Sequence, residues 1–277
     1  MDFKSKKVLI TGASRGLGAE IARKLAKKGA FVILTSEEQT ADELKKNTEE
    51  IQADGGDAEF HVMDVTNQEM IEKVYEKVKA DHGTLDVLIN NAGVLSNKCF
   101  HNGSLEDFEF MHDVNVKGYM RVAWAFMPIL GRVPEGQEET PENKEGQIIC
   151  VCSMSGEICV PLMQFYSITK AACRMVAKAL REHYIYLNQP KMNVLEINPM
   201  QFESNLYSND EHANKFAETM KEKGMMPTTE EIADQIIKAA EKEKQEIFIP
   251  ALAQVTEYLY RLFPKLTTTL VRKQLTD

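Results

Sequence analysis

Short, nearly continuous apolar runs alternate along the chain with longer segments whose apolar residues recur every three or four positions. The runs KKVLIT (6 to 11), AFVILT (30 to 35), AEFHVM (58 to 63), DVLIN (86 to 90), QIICVC (147 to 152), MNVLEI (192 to 197) and EIFIP (246 to 250) read as seven strands. Between them, helical spacing predicts helices near 16 to 28, 38 to 53, 67 to 82, 104 to 130, 164 to 188 and within 203 to 242. This alternation predicts right-handed βαβ units on one parallel sheet. Strands apolar throughout, rather than at every second position, predict a sheet covered by helices on both faces. The expected fold is a single doubly wound α/β domain over residues 1–250. Beyond it, residues 251–277 carry Leu252, Val255, Leu259, Leu262, Phe263, Leu266 and Leu270 at helical steps. That stripe predicts an amphipathic helical extension, bent near Pro264 and packed on its own subunit or a neighbour in preference to a membrane surface.

Composition narrows the partners. With 43% hydrophobic and 27% charged residues among 277, the chain has enough apolar material for a sizeable core. Its net charge of −9 is the wrong sign for tracking phosphate backbones, so no nucleic-acid partner is expected. No apolar run approaches a membrane span, and the first residues lack a signal-peptide core, which predicts a cytoplasmic protein. Five cysteines without metal-ligand spacing read as reduced core thiols, and no metal is expected. The Pro-, Gly- and acid-rich stretch from Gly131 to Gly146 reads as a mobile surface insertion.

The first strand-to-helix turn carries the first chemical signal. Gly12, Ser14, Arg15, Gly16, Leu17 and Gly18 lie in TGASRGLG, spaced TGxxxGxG rather than GxGxxG. Glycines let a backbone turn sharply and approach a pyrophosphate, while a helix N-terminus offers unpaired N–H groups. Further segments follow in order: Asp64 and Val65 after the third strand; Asn90, Asn91, Ala92 and Gly93 after the fourth; Asn115 in the next helix; Ser153 after the fifth strand; then Tyr166 and Lys170 in YxxxK. Together they resemble the short-chain dehydrogenase/reductase family, a Rossmann-type fold, over about residues 5 to 250. Pro199 in INPMQFES matches the family's PGxxxT segment, but Met200 replaces the glycine and Ser204 the threonine.

Tyr166 is the candidate general acid or base, since Lys170 four residues on shares its helical face and an ammonium favours the phenolate. The resemblance implies that Lys170 also holds the nicotinamide ribose, that Ser153 hydrogen-bonds the substrate oxygen and that Asn115 supports a proton-relay water. Ser155 competes for the serine role, although the family's offset of 13 residues before the tyrosine selects Ser153. The resemblance also makes Asp64 and Val65 adenine contacts, and Asn91, Ala92, Gly93, Pro199 and Ser204 cofactor contacts. At the end of strand two, Ser36 stands where NAD-dependent members tend to carry Asp, and Arg15 is placed as in NADP-dependent ones. Glu37 opposes that assignment. On balance NADP(H) is favoured over NAD(H), because an Arg pairs with a 2′-phosphate.

Met154, Leu162, Met163, Met200 and Phe202 predict an apolar substrate pocket. The expected function is therefore carbonyl–alcohol interconversion on a small lipophilic molecule with NADP(H). An NAD-dependent alcohol dehydrogenase and a catalytically silent nucleotide-binding regulator are the alternatives. The helices near 104 to 130 and 164 to 188 resemble those that pair between family subunits, implying a homodimer or homotetramer.

Overall fold

The computed structural model describes residues 1–96, 98–131, 133, 138, 140, 144–161, 163–202 and 226–269. The strands are β1 (Lys7–Thr11), β2 (Phe31–Ser36), β3 (Asp57–Val62), β4 (Val87–Asn90), β5 (Gly146–Val151), β6 (Met192–Pro199) and β7 (Glu246–Ile249). The helices are α1 (Gly16–Lys27), α2 (Ala41–Ala53), α3 (Gln68–His82), α4 (Leu105–His112), α5 (Gly118–Phe126), α6 (Gln164–Tyr186), α7 (Thr229–Glu241) and α8 (Leu252–Leu262). All seven strands are parallel, in the order β3-β2-β1-β4-β5-β6-β7. The order reverses between β1 and β4, where Val8 pairs with Val32 on one side and Val87 on the other. A crevice opens at such a switch point, at the carboxyl ends of the strands.

The apolar strands explain the two layers. Val8 and Ile10 of β1 point into a core shared with α1, α2 and α7, whereas Leu9 between them points into the opposite core with α3, α5 and α6. From Val8 to Thr11 every position of β1 is buried, at about 1.5–3 kcal/mol for each large aliphatic side chain. In α1, Leu17, Ile21 and Leu25 recur at steps of four on the buried side, and Lys24 and Lys27 close its last turn, where cations suit the helix dipole. Capping boxes start α4 (Ser104 with Asp107) and α7 (Thr228 with Glu231).

The predicted helix 104 to 130 is present but not uniform. A π-helical turn over Asp113–Lys117 separates α4 from α5, and Asn115 sits within it. Most of the expected insertion and the first part of the 203 to 242 segment lie outside the described residues. One expectation is corrected. Met154 is not among the residues that line the crevice: it is buried against Ile158, Phe248 and Ala253, because the turn after Ser153 folds it inward under α8. Of the two packings expected for the stripe of α8, that on its own subunit is not the one adopted. The helix buries Ala253 and Glu257 and turns its leucines outward.

Candidate active site

A cleft of about 320 Å³ runs along the switch point from the glycine turn to Tyr166. Gly12 adopts φ +65°, and Gly16 adopts φ +58° with open space where a Cβ would stand. A Cβ on Gly18 would lie 2.3 Å from the Gly12 carbonyl oxygen, so only glycine lets α1 start this close to β1. The first turn of α1 contains no acidic residue and receives no side-chain cap, which leaves its N–H groups for an anion in the cleft. Two side chains hold the turn from behind. Asn91 donates from Nδ2 to the carbonyls of Thr11 (2.9 Å) and Gly12 (3.1 Å). Asn47 of α2 donates to the Ser14 carbonyl, and Arg23 in turn donates to Asn47 Oδ1 at 2.7 Å. Because the carbonyls are engaged on this side, the amides are left to face the cleft. These features fit a dinucleotide pyrophosphate.

At the other end, α6 places Tyr166, Lys170 and Arg174 one turn apart on a single buried face. Lys170 Nζ donates to the Val151 carbonyl at 3.1 Å and lies 5.8 Å from the centre of the Tyr166 ring. Burial pushes the Tyr166 phenol well above its ordinary range, and a hydrogen bond with Ser153 pulls it partway back. The expected net depression by Lys170 is therefore not what the geometry produces. Lys170 Nζ is engaged by the Val151 carbonyl, and at Tyr166 burial outweighs the hydrogen bond with Ser153.

The Ser153 segment is fastened to the same helix. Ser153 Oγ accepts from the Ser155 N–H at 3.1 Å, which occupies Ser155 in shaping the turn. A Cβ on Gly156 would lie 2.6 Å from the Lys170 carbonyl carbon, so the turn rests directly on the α6 backbone. One turn further on, the Arg174 guanidinium is clasped by Glu157, Glu196 and Glu246. Burial and the adjacent Glu196 push the Glu246 carboxyl up, as three carboxylates about one cation require.

Asn115 is fully buried and stands behind the cleft wall. Its Nδ2 donates to the Val94 carbonyl (2.9 Å) and Thr169 Oγ1 (3.0 Å), and its Oδ1 accepts from the Val94 N–H (2.8 Å). The π-helical turn is what swings this side chain out of the helix toward the β4 loop. Asn115 thus ties α5, α6 and that loop together.

At the far corner, Ser36, Glu37, Thr40, Asp64, Val65 and Thr66 line the cleft with Ser14 and Arg15. Thr40 donates to Ser36 Oγ at 2.9 Å, and Asp64 Oδ1 accepts from both the N–H and the hydroxyl of Thr66 at 2.8 Å. Arg15 and Glu37 are exposed.

Among the predicted residues, Gly12, Gly16, Leu17, Asn91, Ala92, Gly93, Ser153, Tyr166, Lys170, Pro199, Met200 and Phe202 all reach the cleft. Gly18 and Asn115 support it from behind. Met163 packs with Met111, Phe165 and Tyr166. Leu162 and Ser204 lie outside the described residues. The sequence reading missed Asn47, Thr40, Gly156 and Arg174. An amide within a helix, and a buried arginine one turn beyond YxxxK, gave no distinctive local signal. Among the described residues no group of three or more His, Cys, Asp or Glu is arranged to hold a metal ion, and no helix is long and apolar enough to cross a membrane.

The sequence profile of the short chain dehydrogenases matches residues 6–215. The oxidoreductase YxnA of Bacillus subtilis is 28% identical over 273 residues, which cover 98% of this chain and 72% of that one. The chain also superposes on a short-chain dehydrogenase/reductase from Burkholderia phymatum, solved with NAD (TM-score 0.80, 19% identity, 96% of each chain). A second likeness is to a gluconate 5-dehydrogenase from Burkholderia cenocepacia, solved with NADP and tartrate (TM-score 0.75, 22% identity, 91% and 96% of the two chains). At these identities the two structures speak for the fold alone. The glycine turn, the Ser153–Tyr166–Lys170 wall and the matched profile together lead to one conclusion: this chain is an oxidoreductase that belongs to the short-chain dehydrogenase/reductase family.

Proposed function

We propose that the enzyme interconverts a carbonyl and an alcohol on a small lipophilic substrate, with NADP(H) in the cleft. The observation that carries this reading is the buried Tyr166 phenol, joined to Ser153 on the same cleft wall. When bound, the nicotinamide supplies or accepts the hydride. Tyr166 gives its hydroxyl proton to the carbonyl oxygen in reduction and takes it back in oxidation. Ser153 orients the substrate oxygen, and Lys170 on the wall beside Gly93 is within reach of the ribose. Asn115 acts as a positioning residue. The glycine turn holds the pyrophosphate against the N-terminus of α1, and Asp64 and Val65 hold the adenine.

Apolar side chains at the mouth, Val94, Phe110, Val114, Met200 and Phe202, support a lipophilic substrate. Arg15, at the corner where a 2′-phosphate would lie, supports NADP(H), as the B. cenocepacia relative's cofactor illustrates. The exposed Glu37 carboxylate at that corner supports a second reading in which NAD(H), the cofactor bound by the B. phymatum protein, is used. We further propose that residues 1–250 form the catalytic unit and residues 251–277 an appended segment. The outward Met120, Trp124, Ile168 and Met175 on α5 and α6 support a homo-oligomer. Fluorescence titration with NADPH and NADH, followed by assays on a panel of ketones, aldehydes and alcohols, tests the proposal. Tighter NADPH binding with carbonyl reduction is expected. Absence of turnover across the panel with either cofactor overturns it.

A further inference from the structure

The C-terminal helix turns outward the side that a surface helix ordinarily buries. Ala253 and Glu257 face the protein, with Tyr260 packed against Met154, Ile158 and Phe248. Leu252, Val255, Leu259, Leu262 and Leu266 stand between 46% and 71% exposed. Phe263 leaves helical geometry at φ −134° and ψ 63°, and the chain is helical again over 264–269, so Leu266 stands on the turn after this break. Their steps are three, four, three and four. That is the a/d spacing of helices that pair with helices, here widened by the exposed Tyr258 and Phe263 on its flanks. The two faces agree on one register: with Leu252 at a, Ala253 and Tyr260 fall at b and Glu257 at f, all on the protein side.

We infer that α8 is a self-association surface, whose occupant is α8 of a second copy of this chain packed about a two-fold axis near Leu259 and Leu262. The positions flanking the seam, Thr256, Tyr258, Phe263 and Lys265, carry one charge and no carboxylate, so two copies meet without opposing rows of like charge. With the flanking Tyr258 and Phe263, the seam exposes apolar surface on the order of 700 Å² per copy, close to the ~800 Å² per partner of a standard stable interface. An anionic membrane suits the face less well. Arg261, one of the basic residues of this end, is already held by Glu157 (3.1 Å) and Glu257, and the chain as a whole carries a net charge of −9. The surface is separate from the outward residues of α5 and α6 and does not depend on the enzyme's substrate or cofactor. Pairing there braces the Ser153 segment, because Ala253 packs on Met154 and Arg261 holds Glu157.

Light scattering on the full chain, with Leu259→Glu and Leu259→Lys made separately, tests the inference. Each variant is expected to halve the particle mass of the parent chain, and mixing the two in equal amounts is expected to restore it. Val255→Ser with Leu262→Ser gives the same readout without introducing charge, and melting curves confirm that all variants fold. Unchanged mass in the charge variants and the double-serine variant overturns the inference. So does a parent chain that floats with phosphatidylserine vesicles when Leu259→Glu does not, if both have the same mass.

Discussion

At the Ser153 end of the cleft, Tyr166, Lys170 and Arg174 are each at most 4% exposed, and bonds to Ser153, Val151 and Glu196 tie them to the strands or the turn beyond. At the opposite corner, Arg15 and Glu37 are exposed, and among the described residues no side-chain hydrogen bond ties either to the sheet. The contrast separates two kinds of requirement. Proton transfer needs groups held within hydrogen-bond reach in a fixed protonation state, which a buried, hydrogen-bonded network provides. Choosing between two cofactors needs only the sign of charge near one ribose, which exposed side chains alter without disturbing the core.

The sharpest way to break the buried end is to remove its cation. Arg174→Met leaves Glu157, Glu196 and Glu246 facing one another, and a loss of about 3–5 kcal/mol of stability is expected, read from chemical denaturation. If the variant is as stable as the parent chain, the clasp does not hold the Ser153 segment. Next in size is chemistry without structure: Tyr166→Phe is expected to lower turnover by at least ~100-fold, with NADPH affinity and melting temperature nearly unchanged. Retained turnover removes Tyr166 from the proposed acid role.

The open corner should respond more mildly and without any loss of stability. Arg15→Ala is expected to weaken NADPH about 10-fold and NADH little, and Glu37→Arg to strengthen NADPH by a similar factor, in fluorescence titrations. Equal changes for both cofactors would place the 2′-phosphate elsewhere. The last effect concerns alkaline pH and accumulates gradually. Burial raises the thiols of Cys150, Cys152 and Cys173 and the phenols of Tyr119, Tyr166 and Tyr184, all around β5 and α6. In the unfolded chain these groups ionise from about pH 8.5 for thiols and 10 for phenols, while the folded protein keeps their protons. The unfolded state therefore binds fewer protons there, and stability, fully present below about pH 8, falls as pH rises. Calorimetry between pH 7 and 10 should show this decline, and Cys150→Ala with Cys173→Ala should flatten it.

Much of the architecture was legible in the chain because it rests on local periodicity. Strands apolar at every position require a sheet covered on both faces, and the Gly12–Gly18 turn and the YxxxK spacing are contiguous features that survive without knowledge of what packs where. Tyr166 and Lys170 stand in that spacing, whereas Ser153 was singled out over Ser155 only by the resemblance to the family. Tertiary structure alone decided what surrounds them. The Tyr166 phenol is raised rather than lowered because burial outweighs its hydrogen bond with Ser153. Asn47 steadies a turn more than 30 residues away, as the Asn47–Ser14 bond shows. Arg174 gathers carboxylates from three separate segments, and Met154 turns inward instead of toward substrate. The α8 stripe announced a helix, but periodicity is blind to which side a neighbour occupies. Burial of Ala253 and Glu257 set that, because desolvation and partner geometry are sums over residues distant in sequence.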